Sequence, residues 1–84
     1  MEQFETGMMA RSKSGHDAGK VYAITKVEEA YVYLVDGKVR TLDKPKKKKK
    51  KHVQLIKESF DIQGATDVDI KRWIKIWNKE DNQN

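Results

Sequence analysis

The order of apolar and polar residues along the first half of the chain predicts three short β-strands. The segments GMMARS (7–12), KVYAITKV (20–27) and AYVYLVD (30–36) are rich in β-branched, aromatic or other apolar residues. Such segments are typical of antiparallel strands when turn-forming residues separate them. Gly15 and Gly19 bracket the first turn, because glycine, which has no Cβ, reaches positive φ without a steric clash.

Two further strands follow from the same pattern. Asp36-Gly37 is a strong signal for a two-residue type I′ turn, which needs positive φ at both central residues. It predicts a hairpin that continues into a fourth strand over 38–42 (KVRTL), where apolar and basic side chains alternate. The segment HVQLIK (52–57) places its apolar residues on one face and predicts a fifth strand.

The apolar period changes in the last part of the chain from that of a strand to that of an α-helix. An apolar stripe at i, i+3, i+4 and i+7 predicts a helix over 66–79, and Thr66 with Asp69 resembles a capping box at its start. The two tryptophans of this stripe either anchor the helix on the sheet or face a partner protein, and the sequence leaves both possibilities open. The members of the stripe are Ile70, Trp73, Ile74 and Trp77.

Five short strands with glycine turns, and no room for crossover helices, predict a mainly β fold. We expect a small antiparallel β-barrel of about five strands with a C-terminal α-helix. A chain of 84 residues holds one small core, so we expect a single domain. The expected segments are a flexible N-terminus (1–6), the barrel (7–58), a linker (59–65), the helix (66–79) and a frayed tail (80–84).

One segment carries the surplus of positive charge. The chain has a net charge of +5 at pH 7, whereas the stretch KPKKKKKK (44–51) alone contains seven lysines, so the remainder is slightly acidic. Because predicted strands flank this stretch, we expect an extended Lys-rich loop that presents a directed field to a polyanion. The alternatives are a solvated charge run, a nuclear import signal, and a membrane adaptor that binds acidic lipid headgroups.

The sequence offers no arrangement for catalysis or metal binding. It contains no cysteine, and its two histidines, His16 and His52, lack the spacing of a metal site. His16 and Asp17 lack the third partner that a catalytic arrangement needs. We therefore expect no enzymatic activity, metal, cofactor or small-molecule substrate. No apolar run approaches the roughly 20 residues of a membrane span and no signal-peptide pattern is present, so we expect a cytoplasmic protein without a membrane partner.

Two segments, SGHDAGKV (14–21) and, one strand later, LVDGKVR (34–40), resemble the KOW motif of translation proteins. Over 7–55 the chain is similar to the large-subunit ribosomal proteins numbered fourteen of the archaeal and eukaryotic type, and to short bacterial proteins related to them. The resemblance implies an SH3-like (KOW-type) barrel whose first loop, shaped by Gly15 and Gly19, lies against RNA. It also implies RNA contacts for Arg11, Lys13, Ser14, His16 and Lys20.

We therefore expect an RNA-binding protein that holds the phosphate backbone electrostatically, in association with ribosomal RNA and the large ribosomal subunit. Tyr31 and Tyr33, on one face of the third strand, either pack across the sheet or stack on unpaired bases. Gly37 is the third turn glycine. The alternative function is a protein-interaction module that uses the aromatic barrel face and the Trp-bearing helix. The further candidate contacts to RNA are Lys38, Arg40, Lys44, Lys46, Lys47, Lys48, Lys49, Lys50 and Lys51.

Overall fold

The computed structural model describes residues 3–81, which form one five-stranded antiparallel sheet and one C-terminal helix. The order of the strands in the sheet is β4-β3-β2-β1-β5, and a short 3-10 turn joins the two edge strands β4 and β5. The predicted fold class, a small mainly β barrel-like domain of about five strands with a C-terminal helix, is confirmed. The elements are β1 (Met8–Ser12), β2 (Val21–Val27), β3 (Tyr31–Val35), β4 (Lys46–Lys49), the 3-10 turn (Lys50–His52), β5 (Val53–Ser59) and α1 (Asp67–Asp81).

The inner face of the rolled sheet holds the first of two apolar clusters. Alternate residues of a strand point to opposite faces, and β1, β2, β3 and β5 each direct apolar side chains of one face into this cluster. Phe4, from the segment expected to be flexible, packs against it, a contact that the expectation did not include; residues 1 and 2 of that segment lie outside the described part of the chain. The buried members are Ala10, Tyr22, Ile24, Val32, Leu34, Val53 and Leu55.

Helix α1 covers part of the outer face of the sheet and forms the second cluster. Ile70 and Ile74 are buried there, and the ring of Trp73 packs on Phe60 with ring centroids 3.4 Å apart. Trp77 packs against the same cluster, so both tryptophans anchor the helix on the barrel. The buried sheet residues beneath the helix are Met9, Val21, Ala23 and Val35.

The start of α1 has the predicted capping box. The Thr66 N–H donates to Asp69 Oδ2 at 3.0 Å, and the Asp69 N–H donates to Thr66 Oγ1 at 3.2 Å. The helix extends to Asp81, two residues beyond its predicted end, and residues 82–84 of the expected tail lie outside the described residues. No helix within residues 3–81 is long and apolar enough to span a bilayer.

The predicted fourth strand over 38–42 is wrong. These residues form turns and bends, and no non-glycine residue between 3 and 81 has positive φ, so Asp36-Gly37 is not a type I′ turn. The carboxylate of Asp36 instead accepts hydrogen bonds from the backbone N–H groups of Lys38 at 2.8 Å and Arg40 at 2.9 Å. A short acidic side chain that occupies these donors folds the chain into a loop at the expense of strand pairing.

The expected Lys-rich loop at 44–51 is also wrong for most of its length. Four of its lysines form strand β4, which pairs with β3, and the next two begin the 3-10 turn. Repulsion among lysines does not prevent this pairing, because alternate lysines of a strand point to opposite faces. The lysines that point inward form ion pairs with the buried carboxylate of Asp17, as described below.

Candidate nucleic-acid interface on the lysine strand

The pairing of β4 with β3 divides the four lysines of the strand into two sets. Lys46 and Lys48 lie opposite Leu34 and Val32, whose side chains enter the inner core. Lys47 and Lys49 therefore face outward, beside the two tyrosines of β3. We call Lys46 and Lys48 the inner lysines, and Lys47 and Lys49 the outer lysines.

Asp17, in the loop between β1 and β2, holds both inner lysines. Its side chain is 8% exposed; Lys48 Nζ lies 2.9 Å from Oδ1 and Lys46 Nζ lies 3.0 Å from Oδ2. The Ser12 hydroxyl donates to Oδ1 at 2.9 Å and the Tyr22 hydroxyl donates to Oδ2 at 3.0 Å. This Asp17 cluster closes one end of the barrel with a carboxylate whose two oxygens are both bonded.

The Asp17 cluster shifts the ionisation of two of its members. Burial opposes the charged form of Asp17, but hydrogen bonds from Lys48, Lys46, Ser12 and Tyr22 outweigh it, so the pKa of the carboxyl lies well below its ordinary value. Burial and the adjacent Asp17 carboxylate raise the pKa of Tyr22 to about 12. The inner lysines therefore face a permanent negative charge at neutral pH.

The outer face of β3 and β4 joins aromatic rings to cations. Lys47 Nζ lies 4.4 Å from the ring centroid of Tyr31 and 5.9 Å from that of Tyr33, and Lys26 Nζ, on β2, lies 5.2 Å from the Tyr33 ring. Both rings are half-buried, whereas Lys47 and Lys49 are exposed. We call Tyr31, Tyr33, Lys47, Lys49 and Lys26 the Tyr–Lys face.

An acidic residue, Glu28, lies beside the Tyr–Lys face. Glu28 Oε1 is 3.7 Å from Lys47 Nζ and Glu28 Oε2 is 3.7 Å from Lys26 Nζ. All three side chains are more than a third exposed, so these long ion pairs contribute little to stability. A phosphate can displace Glu28 from either lysine at small cost.

The other predicted RNA contacts fall into separate places. His16, Lys20, Arg40 and Lys46 line one cavity of about 170 Å³ at the end of the barrel. The Ser14 carbonyl accepts a hydrogen bond from Lys48 at 2.9 Å, and so belongs to the Asp17 cluster.

The remaining predicted contacts surround the barrel. Lys13, Lys38, Lys44 and Lys51 are exposed on loops and turns. Arg11 is half-buried below the helix, with its guanidinium 5.6 Å from the Trp77 ring, and Lys50 Nζ is 5.6 Å from the Phe4 ring. The predicted residues thus do not form one surface.

The sequence interpretation missed the roles of three residues. Asp17 lies in the turn bracketed by Gly15 and Gly19 and was considered only as a catalytic group, because its lysine partners lie about thirty residues later in the chain. Lys26 and Glu28 join the site only because β2 and β3 pair with a bulge that brings Lys26 opposite Tyr33. No short-range sequence signal indicates that pairing.

No protein-family model matches the chain, and no curated protein matches it with significant similarity. Among the described residues, no group of three or more His, Asp or Glu side chains is placed to hold a metal ion.

Proposed function

We propose that the protein binds RNA through the Tyr–Lys face, with the outer lysines on phosphates and the tyrosine rings against bases. Ribosomal RNA, the large ribosomal subunit and a cytoplasmic location form part of this proposal, on the strength of the resemblance to KOW proteins. The outer lysines supply contacts that position the strand without reading its sequence.

The register of β3 and β4 is the observation that carries the proposal. Tyr31 lies opposite Lys49 and Tyr33 lies opposite Lys47, so rings and cations share one surface. Single-stranded nucleic acids are bound by this combination, a cationic track beside aromatic rings on which bases stack. Each stacked base contributes roughly 1 to 3 kcal/mol, and each phosphate contact adds a salt-dependent term.

The Asp17 cluster supports the proposal because it fixes the strand that presents the cations. Lysine side chains lose conformational entropy when they bind, and a backbone that is already ordered adds no further cost. The inner lysines are held within the protein by Asp17, while the outer lysines reach solvent.

The alternative of a protein-interaction module is less well supported. Its proposed contact surface included the tryptophans of the helix, and these pack on Phe60 and the second apolar cluster. The other part of that surface is the Tyr–Lys face, where exposed cations favour a polyanion.

Binding of a fluorescein-labelled oligouridylate of roughly 12 nucleotides tests the proposal, with affinity measured between about 50 and 200 mM salt. With about four phosphate contacts we expect log K to fall with log[salt] at a slope of about −3. Tyr31→Leu/Tyr33→Leu should weaken binding by at least tenfold with the slope unchanged, since it removes stacking and keeps the cations. Absence of salt-dependent binding by the wild-type protein would refute the proposal.

A further inference from the structure

A second cationic surface lies where helix α1 meets the loop 36–40. The cleft between them has a volume of about 310 Å³ and an apolar floor of Val21 and Ile74, and the exposed Val39 also lines it. Lys20 and Lys38 come to its rim from the barrel loops, and Lys71 and Lys75 come from one face of the helix. Neither helix lysine was among the predicted contacts.

The walls of this cleft are fixed to each other. The Leu42 N–H donates to Asp67 Oδ1 at 2.8 Å, which ties the loop to the first turn of α1. Gly37 approaches the helix so closely that an added Cβ would overlap the backbone oxygen of Asp67 and lie 3.0 Å from Lys71 Cβ. The cleft is therefore formed before any ligand arrives.

The lining of the cleft has a net positive charge, from four lysines and one carboxylate. Within residues 3–81 none of its four lysines forms an ion pair, in contrast to the inner lysines of β4. Asp36 is the one carboxylate in the described lining, and its Oδ1 already accepts two backbone hydrogen bonds. Four neighbouring cations around an apolar floor attract an anion that also has a flat apolar part.

We propose that this cleft holds one nucleotide of single-stranded RNA, with its base against the apolar floor and its phosphates on the lysines. The inference rests on the proposed function and extends the RNA path beyond the Tyr–Lys face. The cleft shares Lys20, Asp36 and Val39 with the cavity at the end of the barrel, which adds His16 and Arg40 to the same stretch of surface. The amide of Asn78 at the rim offers both a donor and an acceptor to a base edge.

The double variant Lys71→Gln/Lys75→Gln tests the phosphate contacts, with Lys57→Gln/Lys79→Gln as a control of equal charge. Lys57 and Lys79 are exposed and line neither cavity. We expect the first pair to weaken binding of the labelled oligouridylate about tenfold and to reduce the salt slope by about 1.4, which is about 0.7 for each lost contact. The control should change the affinity less than about twofold.

Val39→Ser tests the apolar lining of the cleft without removing charge, and Val39 is 74% exposed, so the substitution leaves the core intact. We expect it to weaken RNA binding by about threefold with an unchanged salt slope, and to leave binding of inorganic polyphosphate unaltered. Equal losses for RNA and polyphosphate, or none for either, would contradict the proposal, because they would show that the cleft does not recognise a base.

The outcomes separate this inference from the proposed function. If the wild-type protein binds the oligouridylate and Lys71→Gln/Lys75→Gln behaves like its control, the cleft is not part of the RNA path and only the inference is overturned. If the wild-type protein does not bind the oligouridylate, both are overturned. Circular dichroism of each variant verifies that the fold is retained.

Discussion

At the scale of single residues, Asp17 is the side chain on which the lysine strand depends most. Its carboxylate is the shared partner of both inner lysines, so its loss leaves two cations close together at the end of the barrel. Asp17→Asn should lower the free energy of unfolding by about 2 to 3 kcal/mol, because it breaks a largely buried ion-pair network. Urea denaturation measures this loss, and Glu29→Gln, at an exposed position, is the matched control with a change below about 0.5 kcal/mol.

The pKa of Asp17 gives this stabilisation a definite pH dependence. A carboxyl whose pKa is lower in the folded than in the unfolded protein stabilises the fold above its ordinary value of 3.8. That stabilisation is lost progressively as the pH falls below 3.8. The difference in unfolding free energy between the wild-type protein and Asp17→Asn should therefore be largest near neutral pH and shrink in acid. A constant difference from pH 7 down to about 2 would contradict the assignment.

Glu28 is the residue whose removal should improve binding. It lies 3.7 Å from the ammonium groups of Lys26 and Lys47, so it competes with any phosphate for both. Glu28→Gln should raise the affinity for the oligouridylate by about two- to fivefold at low salt, and the gain should shrink as salt increases. Glu58→Gln, on an exposed position of β5, is the control. A loss of affinity on Glu28→Gln would show that the ligand does not lie on these lysines.

Among the secondary-structure elements, apolar periodicity predicts the strands and the helix that bury apolar side chains. It does not predict β4, which buries none. β2, β3 and α1 were predicted from their apolar residues, and the Thr66–Asp69 capping box was predicted from its spacing. β4 has no apolar residue, so no hydrophobic pattern marks it. Its pairing depends on Asp17, nearly thirty residues earlier in the chain, which local propensity does not take into account.

The candidate site was likewise predicted only in part. The cationic segment and the two tyrosines were predicted from the sequence, because charge and aromatic character need no structure to be seen. Which lysines face outward was not predicted, since a loop has no fixed alternation and the segment was expected to be a loop. The lysines of α1 were not among the predicted contacts, because only the fold brings them beside Lys38.

Helix α1 should stabilise the domain through one face only. Ile70 is fully buried and Ile76, on the same helix, is 49% exposed. Ile70→Ala should lower the free energy of unfolding by about 2 to 4 kcal/mol, because it leaves a cavity between helix and sheet. Ile76→Ala should change it by less than about 1 kcal/mol. Similar losses in urea denaturation for both variants would contradict the observed packing of the helix.

Across the domain as a whole, the lysines that pair within the fold are different from the lysines that face solvent. The inner lysines form ion pairs with Asp17, whereas the outer lysines, Lys44 and Lys51 reach solvent. The positive field is therefore concentrated around these exposed lysines, which the net charge of +5 alone does not show. The proposed RNA binding therefore depends on the outward lysines of β4, and not on the total number of lysines in the segment.

Comparison of Lys47→Gln/Lys49→Gln with Lys46→Gln/Lys48→Gln shows which lysines of β4 bind RNA. The two variants have identical composition and net charge, and affinity for the oligouridylate is measured over a range of salt at a temperature where circular dichroism shows both to be folded. We predict that the outer pair weakens binding about tenfold and reduces the salt slope by about 1.4, while the inner pair lowers stability and leaves the slope unchanged. Equal losses of affinity and slope in the two variants would contradict the claim, because they would show that net charge alone determines binding.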